Sequence, residues 1–486
     1  IYLSYVSSDC DGKSLRPSIL IGKIKKMYPK LQEKSDVIYK EYKVENKIST
    51  YEQLIENISR LRNKEKIDDV WYYIYQYYKS QSDWNKKLEA DLKGLEYTNL
   101  PEKIKKENLE KLYGNTLNTS ISRLEKYRSC PFSYYLQYGL KLKEKEQLKI
   151  QSFNTGSFMH ETIDEFFEYV RQEGLSLAEL EEEQITKIVF EIIENNLKMS
   201  KNYIFTATAK YKVLVRRLKK IVSKALKYII ETIIYSDFSI EGTEVEFGKN
   251  GRYKPIVLEI GEGKKVEITG KIDRIDTSKN EDGKYLRIID YKSSAKNIDL
   301  NEVYAGLQIQ LLTYTDAICR EEDIMPAGVF YFSLLEQMVK ADKKMTEDEI
   351  EETIRKNFKM KGLIIADVKI IKMNDNTLKT GNSKLVPAAL TTSGTINEKW
   401  TNGVKAEEFR TLQEYIYKTI KDISKEILSG NIDLKPYYKK GKTPCQYCEY
   451  KAVCGFNSRQ ENNTYNYIEQ KSKDEILLKM KKNLEE

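Results

Sequence analysis

Four cysteines constrain this chain more than any other feature. Cys130 stands alone, and Cys445, Cys448 and Cys454 follow far downstream as C-x2-C-x5-C, in Thr443-Pro444-Cys445-Gln446-Tyr447-Cys448 and Lys451-Ala452-Val453-Cys454. Thiolates at this tight spacing reach one metal centre. Three ligands leave a fourth place, and Cys130 is the candidate to fill it. Such a closure staples the start of a domain to its end, so the residues between should be the working part. Spacing alone leaves zinc and an iron–sulfur cluster both open.

The remaining composition sets wider bounds. Six cysteines in 486 residues do not make a disulfide scaffold, so the cytoplasm is the default location. Cys10 and Cys319 read as buried or incidental thiols. A net charge of +8 permits nucleic-acid binding without arguing for it. The 36 tyrosines reflect a general bias toward Lys, Ile, Asn and Tyr. The longest apolar run, Gly328-Val329-Phe330-Tyr331-Phe332-Ser333-Leu334-Leu335, is far too short to span a bilayer. No basic-then-apolar leader opens the chain, and a start on Ile1 reads as the C-terminal piece of something longer.

Along the chain, residues 1–115 read as mostly helical and polar. Tyr2-Leu3-Ser4-Tyr5-Val6 is an expected strand, Asp11-Gly12-Lys13 a turn, and Leu15-Arg16-Pro17-Ser18 the entry to a helix. Pro101 and residues 116–120 mark a boundary. Ser122-Arg123-Leu124-Glu125 has the capping-box pattern, with Ser122 as N-cap and Glu125 reaching back. That helix delivers Cys130, Pro131 stops it, and residues 132–140 follow as an apolar helical segment. A second helix begins near Gly156. Residues 266–276 and 285–293 predict two strands, 301–320 a helix and 327–334 a strand, which together give an α/β core. Residues 341–404 are charged and then Gly- and Thr-rich, and read in part as an insertion or long loop. A helix over 406–428 ends at Gly430, and residues 461–486 read as a charged, solvated helix.

The strongest local chemistry lies in Ile288-Ile289-Asp290-Tyr291-Lys292. Residues two apart in a strand share a face, so Asp290 and Lys292 project together from an apolar stretch. Buried charges must be paired or bind metal. If Asp282-Gly283 is a two-residue loop, Glu281 pairs with Lys284 and Asp273 falls opposite Lys292. Asp273, Asp290 and Lys292 then share one surface. Hard oxygen ligands of this kind suit Mg²⁺ or Mn²⁺. The plain alternative is an ion pair across a hairpin. His160, the sole histidine, shares a helix face with Asp164 and Phe167 and reads alone as a hydrogen-bonded core residue. Gln310 and Tyr314 share a helix face and read alone as polar surface. Gly441-Lys442-Thr443 echoes the end of a P-loop, but Pro436 stands where its first glycine belongs, so no ATP site is expected.

Taken together and in this order, Gly156-Ser157-Phe158-Met159-His160, Asp273, Asp290-Tyr291-Lys292 and Gln310-Leu311-Leu312-Thr313-Tyr314 resemble the PD-(D/E)XK nuclease superfamily in its RecB-like branch. With the four enclosing cysteines the pattern resembles the B-type subunits of AddAB-type helicase–nucleases. The resemblance implies a restriction-endonuclease-like α/β core with helical additions over 116–460. The end of a degenerate helicase-like α/β region would occupy 1–115. It implies a metal-dependent DNA exonuclease in which His160, Asp273 and Asp290 ligate Mg²⁺ (or Mn²⁺), with Lys292 beside them. Gln310 and Tyr314 would line the DNA path and support the site. It implies a [4Fe-4S] cluster on Cys130, Cys445, Cys448 and Cys454. The implied setting is resection of linear double-stranded DNA ends for recombinational repair, with single-stranded DNA also handled, 5′-to-3′ polarity, and ATP hydrolysis supplied by an AddA-type partner in a heterodimer. Two other readings compete: a stand-alone four-cysteine exonuclease of the CRISPR-associated type, and a catalytically dead, cluster-stabilised DNA-binding scaffold.

Overall fold

The computed structural model describes residues 3–8, 13–33, 44, 46–63, 65–95, 98–143, 150, 152–334, 345–460 and 462–485. Tyr2, Cys10, Asp11, Gly12 and Leu335 lie outside the described residues, and with them part of the first strand, the first turn and the apolar run. The chain divides into two compact units, Ile1–Tyr97 and Thr98–Glu486.

In the first unit, residues 3–6 form no strand. The helix Ile19–Met27 does follow Ser18, whose hydroxyl accepts from the Leu20 amide. Helices Lys47–Arg62, Val70–Ser80 and Ser82–Leu95 pack around buried Tyr51, Leu54, Trp71, Tyr78 and Leu88.

The second unit is built on a six-stranded sheet whose strands lie in chain order. They are β1 (Ser239–Phe247), β2 (Gly270–Asn280), β3 (Gly283–Lys292), β4 (Met325–Ser333), β5 (Lys361–Ile365) and β6 (Gly403–Val404). Within this sheet, only β3–β4 and β5–β6 pair in parallel. A parallel pair needs a crossover, and residues 293–324 supply it for β3–β4. The expected helix over 301–320 is two pieces, Leu300–Tyr304 and Gln310–Glu322, broken where Gly306 takes a φ of +76°. Side chains alternate across β3: Ile288 enters one core, while Ile289 and Tyr291 enter the other. Helices Gln310–Glu322 and Ala406–Leu428 contribute to the first core, and Ser152–Gln172, Glu182–Leu197 and Ala209–Ile234 to the second. The α/β class and the restriction-endonuclease-like core stand as expected.

Four local expectations change. Ser120, not Ser122, caps the helix Ile121–Ser129. The β2–β3 loop is Glu281-Asp282, because Asn280 pairs with Gly283 and Lys279 with Lys284. The Asn280 side chain accepts from the Asp282 amide at 2.9 Å, and Gly283 takes a φ of +139°. That Asx turn and the glycine fix the loop one residue earlier than the Asp-Gly rule places it. Residues 345–404 are ordered rather than a long loop. They hold helices Glu347–Phe358 and Val368–Asn374, strands β5 and β6, and a small hairpin of Gly381–Asn382 with Ala389–Leu390. Finally, the helix Lys473–Glu485 is not fully solvated, since Ile476, Leu477 and Met480 are buried. Charged side chains on its outer face hid an apolar stripe too short to stand out.

Candidate active site

The register of β2 against β3 sets the site. Arg274 pairs with Ile289, so one step on Asp273 lies across from Asp290, not from Lys292. The face is unchanged, because the shift moves pairs by two positions. The Asp273 carboxylate also accepts the Tyr291 amide at 2.7 Å. The Lys292 ammonium lies against Asp290 as an ion pair. Asp290 Oδ2 is otherwise buried without a well-aligned hydrogen-bond donor. Burial, and then the facing Asp273, push the Asp290 carboxyl above its ordinary range, with Lys292 opposing.

His160 reaches this pair from the helix Ser152–Gln172. Its Nδ1 stands 3.4 Å from Asp273 Oδ2 and 4.0 Å from a Glu244 carboxylate oxygen. Burial disfavours its charge, but Asp273, Asp290 and Glu244 outweigh burial and hold the imidazole above its usual value. His160, Glu244 and Asp273 offer ligand atoms that all lie within 4.8 Å of one another. Two carboxylates and an imidazole around a part-buried point, with an under-satisfied third carboxylate beside it, suit a hard divalent cation. The core-histidine reading of His160 thus gives way to a residue aimed at carboxylates.

Glu244 is a member of this group that the sequence does not single out. It sits on β1, where Thr243 pairs with Arg274 and Val245 with Ile272, and its own φ is +48°. That uncommon backbone conformation turns its side chain toward His160 while Lys271 holds it at 2.6 Å. Burial raises its carboxyl, against Lys271. The sequence carries no signal for it, since Glu241 and Glu246 flank it as equals.

Gln310 opens the helix Gln310–Glu322 and Tyr314 lies one turn on. Tyr314 is buried, stacks on Phe247 at 5.2 Å, and presses its hydroxyl on Gly270, where an added Cβ would stand 1.8 Å away. It is therefore packed against the sheet, not the polar surface residue that its spacing suggested. Glu125 accepts from the Ile309 and Gln310 amides at 2.8 and 3.1 Å. The residue expected to close its own helix instead caps another, because the orphan amides of Gln310–Glu322 meet it there.

Burial pushes the Glu125 carboxyl from 4.5 up to about 7, with Lys296 and the two amides opposing. A raised folded pKa favours the protonated form. Its contribution is fully present below about pH 4.5 and lost as pH rises through about 7. Glu125→Gln removes this dependence. We expect the variant to gain on the wild type between these pH values by at most about 3 kcal/mol, measured by urea unfolding. Parallel stability–pH curves would show that Glu125 does not titrate there.

The four expected cysteines share one cavity, lined also by Lys126, Phe132 and Ser133. Cys130 caps the helix that carries Glu125, and Pro131 starts the next short helix. Burial pushes the Cys130 thiol up to about 11. Cys319 lies outside the cavity, and burial pushes it up to about 12. Of Gly441-Lys442-Thr443, Gly441 and Lys442 lie in a tight turn, with Lys439 bridged to Lys442 and Gly441 at a φ of +78°, and Thr443 caps the short helix Pro444–Tyr447.

Comparison with known proteins agrees with this geometry. The model of the PD-(D/E)XK nuclease superfamily matches residues 118–455. That of the ATP-dependent helicase/deoxyribonuclease AddB fifth domain matches residues 41–94. Relatives described as the B-type subunit of an ATP-dependent helicase/deoxyribonuclease include those of Clostridium novyi, 37% identical over 100% of this chain and 44% of its own, and Acetivibrio thermocellus, 36% identical over 100% and 43%. A third, from a Thermoanaerobacter species, is 36% identical over 98% and 42%. The chain thus spans less than half the length of these curated relatives. Members of the matched superfamily depend on a divalent metal. No helix among the described residues is long and apolar enough to cross a membrane. With its carboxylates and lysine on a mixed sheet, a histidine brought to them by a helix, and a likeness to AddB-type relatives along its whole length, the chain belongs to the PD-(D/E)XK nuclease superfamily.

Proposed function

We propose that the second unit is the nuclease of a cytoplasmic ATP-dependent helicase–nuclease. It would hydrolyse DNA phosphodiesters at linear double-strand ends during recombinational repair, beside an AddA-type partner. The observation that carries this reading is the convergence of His160, Glu244 and Asp273 opposite the Asp290–Lys292 pair. His160, Asp273 and Glu244 would hold Mg²⁺ or Mn²⁺, with Asp290 completing the shell. When bound, the ion polarises the phosphodiester and lowers the pKa of water. Lys292 sits where it can orient the nucleophile and balance charge, and Tyr314 keeps β2 in place. The four-cysteine cavity would hold a [4Fe-4S] cluster, as the resemblance implies.

The test uses the full-length protein with its partner, linear DNA labelled at either 5′ end, and Mg²⁺. Asp290→Ala should lower cutting of one strand, expected to be the 5′-terminated one, by at least about 100-fold while end binding persists; this is on the order of a lost electrostatic group at a reacting centre. Unchanged cutting of both strands would make the scaffold reading the better one.

A further inference from the structure

Residues 375–404 carry no sequence motif, yet they wall a cleft at the same end of the sheet as Lys292. Lys356, Lys359, Lys361, Lys399, Trp400 and Asn402 line it, and no acidic residue does. The register places it. Asp290 pairs with Tyr331 and Tyr331 with Lys361, so these three side chains stand in one row across β3, β4 and β5. At about 4.8 Å per strand, Lys361 lies about 10 Å from Asp290 at the backbone. The Lys292 and Lys296 ammonium groups lie 5.8 and 4.8 Å from the centre of the Tyr331 ring. Lys292 and Lys296 thus stand over Tyr331, with Lys361 beside it in register, between the candidate active site and the cleft, and Asp290, Glu125 and Glu302 also act on the Tyr331 hydroxyl.

The far wall is fixed to β5. The Ile364 amide donates to the Asn402 carbonyl at 3.1 Å, the Asn402 amide to Pro387 at 2.9 Å, and the Met360 amide to Leu385 at 2.9 Å. This lacing holds Trp400 out in solvent, 59% exposed, with the Lys399 ammonium 5.7 Å from its ring. Lys356 pairs with Glu352 at the surface. Among the described residues, no carboxylate pairs with Lys359, Lys361 or Lys399. Lys359 is half-buried, and burial holds its ammonium below the ordinary value, with Asp375 opposing. The C-terminal end of the helix Glu347–Phe358 favours some positive charge here. It does not by itself account for a half-buried lysine beside two further lysines and an exposed indole.

We propose that this cleft binds single-stranded DNA next to the active site, with Lys359 and Lys361 on the phosphodiester backbone and Trp400 stacked on a base. Cations along a groove with one exposed aromatic are the elements of sequence-independent single-strand binding. The proposal rests on the nuclease reading only for what happens to the strand, not for its capture.

The experiment is photocrosslinking of the full-length protein to a 5-iodouracil single strand without divalent metal, mapped by peptide mass spectrometry, followed by Mg²⁺-dependent cleavage of the same oligonucleotide. The expected crosslink is at Trp400. Lys359→Gln/Lys361→Gln should lower its yield at sub-saturating DNA and reduce the slope of log affinity against log salt by about 1.4, near 0.7 per lysine. Trp400→Ala, at an exposed position that cannot unfold the core, should weaken binding about fivefold or more. Crosslinking at Trp400 without Mg²⁺-dependent cleavage would leave the cleft standing and remove the nuclease reading. Wild-type affinity and salt slope in both variants, with cleavage intact, would overturn the cleft proposal alone.

Discussion

Cys130→Ala is expected to lower the stability of the unit Thr98–Glu486 by at least about 5 kcal/mol. On the proposed reading Cys130 closes the chain against Cys445, Cys448 and Cys454 through one cluster. The chain-entropy relation for a loop of that length gives about 5–6 kcal/mol. Cluster loss would be added to this, because a bound centre is folding free energy. The measurement is thermal unfolding of wild type and variant, each with and without a chelator. Chelation should bring the wild type down to the variant and leave the variant unchanged. Cys319→Ala, outside the cavity, is the control for losing a buried thiol. Equal melting of wild type and Cys130→Ala would refute the staple.

Asp276→Ala is expected to cost about 3–5 kcal/mol, the usual penalty for stranding a buried charge. Arg274, Asp276 and Arg287 are essentially wholly buried on the sheet. Arg274 donates to both Asp276 oxygens at 2.6 Å, and Arg287 Nε to one at 2.8 Å. Arg287 keeps further partners in Asn374, Ser236 and the Thr232 carbonyl, and stacks on Phe238 at 4.6 Å. Burial and the neighbouring Arg274 work against its charge and Asp276 supports it; the balance brings it down to about 10. Arg274 would lose both of its bonds to the Asp276 carboxylate. Urea unfolding checks this, with exposed Asp282→Ala as the control that should change stability by less than about 0.5 kcal/mol. A cost below about 1 kcal/mol would mean that water reaches the guanidiniums.

The network adjoins the candidate site along one strand. Asp273 and Asp276 lie on β2, the first turned to His160 and the second to two arginines. In Ile272-Asp273-Arg274-Ile275-Asp276, strand period puts the two carboxylates on opposite faces, but their roles are told apart only by the resemblance to a known motif. Strand alternation separates neighbours; it does not say which carboxylate meets cations from its own sheet and which meets a helix from outside.

Local rules carried the strand around Asp290, the helix Ala406–Leu428 with its stop at Gly430, and the joint lining of one cavity by four cysteines, while the strand expected over 266–276 is split at Thr269 between Lys264–Ile268 of a three-stranded sheet and Gly270–Asn280. Periodicity, a helix-ending glycine and the spacing of Cys445, Cys448 and Cys454 act over a few residues; Cys130 entered only as the remaining candidate for a fourth ligand. The register of β2 on β3 was off by one loop residue, because the Asn280 side chain, not the Asp-Gly pair, set the turn. Face survived the error and partner did not, since a strand repeats every two residues.

What only the tertiary structure decided has one physical origin. Glu244 joined the site through a backbone turn at positive φ, Glu125 capped a helix distant in sequence, and Tyr314 was buried against Phe247 and Gly270. The segment 375–404 became the wall of a basic cleft. In every case the deciding partner is remote along the chain. The sequence determined which residue types and short spacings exist: a carboxylate–lysine strand, a lone histidine, and four thiols that can close one loop. Which carboxylate faces the histidine and which meets an arginine or a helix end was settled only by packing. Burial makes an unpaired charge costly, so each buried group takes the partner that the fold brings to it.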